Sequence, residues 1–275
     1  MVRRDVAVDI GLWRSTRGDT HPHIGVDVAW DYWPQGTHLV WEAPALVACA
    51  TGGGGGSQQA LFKRDLDRFL AGALASWHRR PSLGTPVSAL DAWFTEVQHQ
   101  FDALDQPTWV EEYQATGVAV LIRDDGAAVG NVGLDRAYRW RRDRPLEQLT
   151  VDDSLAMRSA PAQVPEWFRT SAASAWRKAS PKRPDFNRWI VAPLEVAPGD
   201  VLVLASGIAD TKLASSYLLA AIDREFEALM PLVGAQDLAN RLGDVVTRSA
   251  ERSPKTERIE WELHSRLAIA IVWVD

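Results

Sequence analysis

The stretch LVACATGGGGGSQQALF, residues 46–62, joins an apolar run, the only cysteine of the chain and five consecutive glycines closed by a serine. Three chemistries could use it: a phosphate cradle, a cysteine nucleophile or a metal loop. A nucleotide-type phosphate loop closes on Gly-Lys-Ser/Thr, and here Ser57 is followed by Gln58, with the nearest lysine at Lys63. A nucleophilic cysteine needs a histidine or another positive group to lower its pKa. Cys49 lies inside an apolar run and reads as a small buried hydrophobe. The loop 52–57, followed by a helix N-terminus, could still present backbone N–H groups to a phosphate or nucleotide, as a sensor would. His21 and His23 could bind a metal, but zinc needs three or four ligands, so they read as a polar loop. The basic run RWRRDR, Arg139 to Arg144, reads as a solvated turn rather than a nucleic-acid patch.

Bulk properties narrow the classes. The chain of 275 residues is 46% hydrophobic and 24% charged, which supports a packed core and argues against general disorder. A formal net charge of −6 gives no built-in attraction for nucleic acid or anionic lipid, so neither is an expected partner. One cysteine makes no internal disulfide. The sequence MVRRDVAVDIGLWRS has no apolar stretch long enough for a signal peptide, and a cytoplasmic protein is expected. Thirteen tryptophans serve a core or a binding surface equally well; Trp30, Trp33 and Trp41 cluster in one short region.

The elements that would position these residues follow from periodicity. DVAVDIGLW alternates as a strand. IGVDVAWDYW and HLVWEA read as strands around the turn PQGT, and PALVACA as a buried strand. Residues 59–77 carry helical spacing. A second helix runs from an N-cap at Ser88 to about Leu104, with Leu90, Trp93, Phe94, Val97 and Phe101 on one face. GVAVLI and AAVGNVG form a hairpin on the Asp-Gly turn of RDDG. Residues 160–187, rich in Pro, Ser, Ala and Arg, read as an irregular insertion or flap. RWIVAPLEVAPGDVLVLAS is two strands around APGD, residues 211–231 and 234–252 are helices, and AIAIVWV closes the chain as strand. A single domain over 1–275 with two sheets and two helix pairs accounts for this order.

At AAVGNVGLDRAYRWRRDRPLEQLTVDDSL the pattern resembles the PPM-type (type 2C) metal-dependent serine/threonine phosphatases, whose hairpin reads N-V-G-D-S-R-A-Y and continues L-x-x-L-T-x-D-H-S. Asn131, Val132, Gly133, Arg136, Ala137 and Tyr138 match, as do Thr150, Asp152 and Ser154, with Asp153 in place of the His. VDIGLWRSTRGDT resembles G-x-x-R-x-x-N-E-D, LVACATGG stands at V-A-D-G-M-G-G, PGDVLVLASGIAD at G-D-x-L-L-L-C-S-D-G-L-T-D, and SRLAIAIVWV at the closing D-N-x-T-x-V-V-V. The resemblance spans Val6 to Val274. It implies an α+β, four-layer αββα fold: two antiparallel sheets packed face to face, with a helix pair on each outer side.

The resemblance also implies two Mg²⁺ or Mn²⁺ ions held by carboxylates, with Arg14 as the phosphate-binding residue. Most of the acids are absent. Their positions fall at Gly18, Ala50, Thr51, Leu134, Ser206, Gly207 and Ser265, with Arg266 beside the last. Asp19 stays, and Asp135 is one position late. The expectation is a pseudophosphatase with no catalytic residue and no cofactor, a vestigial Arg14, and a kinase, phosphatase or phosphoprotein as partner. The alternative is an active Mg/Mn-dependent phosphatase with a rearranged site drawn from Asp19, Asp135, Asp152, Asp153 and Asp210.

Overall fold

The structure is a computed structural model that describes residues 8–14, 30–31, 45–53, 69–70, 72–73, 75–77, 84–104, 114–142, 144–153, 174–177, 187–206, 212–229, 234–251 and 268–274. Two antiparallel sheets form its centre. The first contains β1 (Val8–Arg14), β6 (Arg136–Trp140), β7 (Glu147–Gln148), β10 (Val201–Ser206) and β11 (Ala268–Val274), in the order β1-β11-β10-β6-β7. The second contains β2 (Trp30–Asp31), β3 (Ala45–Gly53), β4 (Gln114–Arg123), β5 (Gly126–Val132) and β9 (Ile190–Leu194), in that order, and β8 (Trp176–Arg177) joins it at the start of β4.

Period-two alternation sorts the side chains of both sheets between two environments. Val47, Cys49, Val118, Val120, Val129, Ala137, Leu202, Leu204, Ala270 and Val272 form the core between the sheets. The alternate residues face outward into helices. Ala48, Ala50, Ala119 and Leu121 pack under α1 (Pro86–Asp102) and helical residues within 69–77. Tyr138, Val203, Ala205 and Ile271 pack under α2 (Lys212–Leu229) and α3 (Ala235–Glu251). The result is the expected α+β layering of helices, sheet, sheet and helices. No described helix is long and apolar enough to cross a membrane.

Local chemistry explains most element ends. The start of α1 corrects the expected cap: Thr85, not Ser88, is the N-cap, and its Oγ1 accepts from the Ser88 N–H at 3.3 Å. Pro86 then takes the first helical position, where its missing N–H costs nothing. The predicted face is confirmed, since Leu90, Trp93, Phe94, Val97 and Phe101 are all buried. The β4–β5 hairpin turns at Asp124 and Asp125, and Gly126 takes φ +138°.

The strands on either side of APGD belong to different sheets: β9 pairs with β5, and β10 with β6 and β11. The turn carries the chain across the sandwich. Asp200 fixes it by accepting from the Ala197 N–H at 3.0 Å and from Arg141.

Two further expectations change. The segment read as a flap over 160–187 contributes β8, and Trp176 within it is only 1% exposed. Gly52 and Gly53 are strand residues of β3, opposite Ala115 and Gln114, rather than loop. Of the two strands expected around PQGT, only Trp30 and Asp31 lie among the described residues, and they pair with Ala50 and Cys49.

Candidate functional site

One end of the sandwich collects the positions that the resemblance singles out. In the first sheet, Arg14 and Ser206 flank Ala268 in one row of the ladder. In the second, Thr51 pairs with Thr116 and Cys49 with Val118. Among the β3 residues whose side chains are described, Cys49 is the one nearest this end that turns toward the other sheet. Its thiol is fully buried and reaches the Leu204 carbonyl at 3.9 Å.

Ala50 points the other way, into the core beneath α1. This corrects the position of the lost acid by one residue. A strand reverses side-chain direction at every step, so only the phase of Cys49 meets the first sheet. Counting V-A-C-A-T-G-G against V-A-D-G-M-G-G position for position gives the same answer, and that count was the available sequence signal.

The matched hairpin motif is a knot of hydrogen bonds. The Asn131 side-chain amide donates to the Val151 carbonyl at 2.9 Å. The Ala137 N–H donates to Thr150 Oγ1 at 3.1 Å, and the Leu149 N–H to the Ala137 carbonyl at 2.8 Å. The Asp153 N–H donates to the Gly133 carbonyl at 3.0 Å, and the Gly133 N–H to Ser174 Oγ at 3.1 Å. Gly133 sits at φ +82°, and a Cβ there would lie 2.4 Å from Thr116 Cγ2, so this position demands glycine. Asn131, Gly133, Arg136, Ala137, Tyr138, Thr150 and Asp152 therefore each have a hydrogen-bond partner within the motif.

Asp152 is bound up in the same knot. Arg136 donates to it bidentately, Nε to Oδ1 at 2.8 Å and Nη2 to Oδ2 at 2.5 Å. Arg136 also donates from Nη1 to the Tyr138 hydroxyl at 3.4 Å. The hydrogen bond with Asp152 raises the Arg136 pKa above its usual range, against the opposing effect of burial. Burial raises the Tyr138 pKa, with the Arg136 hydrogen bond acting in the opposite direction. Arg136 and Tyr138 lie on the helix side of β6, while Ala137 between them faces the second sheet. Asp152 is thus held outside the inter-sheet space, with both oxygens facing a guanidinium.

Leu134 stands at the position of a second acid and is 5% exposed, and Asp135 beside it is 2% exposed. Gly18, Asp19, Gly207, Asp210, Ser265, His21 and His23 lie outside the described residues, as do 54–57 and the side chains of Arg14, Thr51 and Ser206. Among the described residues no group of three or more His, Cys, Asp or Glu is placed to hold a metal ion. Mg²⁺ and Mn²⁺ require hard oxygen ligands. A buried thiol at Cys49, an alkyl group at Leu134 and a carboxylate already held by Arg136 do not fit a pair of such ions.

No family model and no curated protein matches the sequence. Solved structures do match. The Mycobacterium tuberculosis serine/threonine phosphatase PstP/Ppp aligns at a TM-score of 0.65 with 16% identity, covering 98% of this chain and 99% of that one. The Streptococcal (S. agalactiae) serine/threonine phosphatase aligns at 0.64 with 16% identity, covering 98% and 100%. PppA, a key regulatory component of T6SS in Pseudomonas aeruginosa, aligns at 0.60 with 16% identity, covering 98% and 99%. The PstP catalytic domain has also been solved with two manganese ions. The chain has the fold of the PPM-type serine/threonine phosphatases.

Proposed function

We propose that this chain is a catalytically inactive PPM-fold domain, a pseudophosphatase that works by binding a protein partner in phosphorylation-dependent signalling. The observation that carries this reading is Cys49, a buried thiol on the inter-sheet face of β3. A two-metal phosphatase places carboxylates around its bridging water and lets their charge offset the cations. A thiol buried in the cluster of Leu204 and Ala270 supplies no hard oxygen for such ions. Leu134 and the Arg136-bound Asp152 support the same reading at separate points of the fold. The partner would be a kinase, a phosphatase or a phosphoprotein met in the cytoplasm.

Purified protein incubated with p-nitrophenyl phosphate and Mn²⁺ or Mg²⁺ is expected to release no more product than buffer does. Metal-dependent hydrolysis that disappears in Asp19→Ala would overturn the proposal in favour of an active phosphatase with a rearranged site.

A further inference from the structure

The opposite end of the sandwich carries a groove of about 480 Å³ between the β6–β7 turn and α2. It is remote from Cys49: Trp140 pairs with Val201 at the beginning of β10, whereas Ser206 pairs with Ala268 at the other end. One wall is basic and bears Arg141, Arg142 and Arg144. The other is acidic and bears Asp223 and Glu227, one helical turn apart on α2.

The floor and one side chain of the basic wall are tied to the fold. Trp140 and Phe226 meet edge to face at 5.4 Å, joining the turn to the helix at the floor. Asp200 grips Arg141 bidentately, with Nη2 to Oδ2 at 2.8 Å. The Arg144 N–H donates to the Arg141 carbonyl at 3.2 Å and closes the turn. Arg141 is taken up by Asp200 and Arg142 has a contact of its own, whereas Arg144, Asp223 and Glu227 make no ion pair among the described residues. Glu227 also lies in the last turn of α2, which holds no basic residue, where the helix dipole disfavours a negative charge.

We infer that this groove docks an extended peptide segment of a partner protein, one carrying an anionic group, phosphoryl or carboxylate, beside a basic side chain. The Arg144 guanidinium, at the rim of this wall, matches phosphate and carboxylate oxygens. The acidic wall takes the basic neighbour and repels a plain polyanion, which sets peptide apart from nucleic acid. The inference does not depend on whether the Cys49 end is catalytic. Each can fail alone, because hydrolysis reads one end and peptide binding the other.

The test is fluorescence anisotropy with a labelled peptide in which two lysines precede a phosphoserine, alongside versions bearing glutamate or serine at that position. The phosphoserine or the glutamate form should bind and the serine form should not; the stronger of the two identifies the anion. Arg144→Glu and Glu227→Lys should each weaken binding by about tenfold or more. Both residues are exposed, and thermal melts would confirm that both variants fold. Absence of binding by either anionic peptide, or binding unchanged in both variants, would overturn the inference. So would tighter binding of a single-stranded RNA than of the peptides.

Discussion

Arg136 and Asp152 show how residues that match a family pattern can hold one another in place. The spacing R-A-Y followed by L-T-x-D was legible as a motif, and reading Asp152 as a possible ligand followed from its residue type. What the spacing could not convey was the direction of β6, which turns Arg136 to the helix side and takes Asp152 with it. Asp152→Ala would leave a part-buried guanidinium without its strongest acceptor. Urea unfolding should show a loss of about 1–3 kcal/mol, and unchanged stability would show that the pair is ornamental. Tyr138, the next residue on that face, adds a pH dependence. Burial favours its neutral phenol and raises the folded pKa above the ordinary value of 10.0. The stabilisation is therefore complete below pH 10 and is lost as pH rises through the folded value. Melting temperature measured from pH 8 upward should fall less steeply above about pH 10 in Tyr138→Phe than in the unaltered chain. Parallel curves would show that Tyr138 does not titrate in that range.

Among elements, those with local signals were the most legible. The two C-terminal helices lie within two residues of their expected bounds, and the Asp-Gly hairpin falls where its turn signal placed it. The element that escaped is β8, because its reason for existing is not local. Residues 174–177 sit in a Pro- and Ser-rich stretch, and only long-range contact orders them. Trp176 lies over Gly117, where a Cβ would approach its ring to 2.4 Å, and meets Trp93 edge to face at 5.9 Å. Gln98 reaches across from α1 to donate to the Arg177 carbonyl at 2.6 Å. A flap would tolerate truncation of its tryptophan, whereas a core strand would not. Trp176→Ala should cost about 3–5 kcal/mol, read as a shift in denaturation midpoint with an unchanged slope. A change below about 1 kcal/mol, the level typical of surface substitutions, would return the segment to the surface.

For the whole molecule, the question is whether metal belongs to the native state. The sheets pack through Cys49, Leu204, Ala270 and Val272, so apolar burial holds them together at this level of the sandwich. The position-for-position count already sets Cys49 against the acid of V-A-D-G; the register adds the direction, with Cys49 turned to the opposite sheet and Ala50 to the helix side. Linkage turns this into a measurement. An ion bound only by the folded chain at a hundred times its dissociation constant adds about 2.7 kcal/mol. Domains of roughly 150–250 residues gain about 2–4 °C per kcal/mol, so a resident pair of ions in a chain slightly longer than that would raise the melting point by roughly 5 °C or more. The expected result with millimolar Mn²⁺ or Mg²⁺ is a midpoint unchanged to within about a degree, far below that linkage shift. Chelation should be equally without effect. A rise that saturates with metal and vanishes in Asp19→Ala would show that acids outside the described residues complete a site, and the metal-free reading would fall with it.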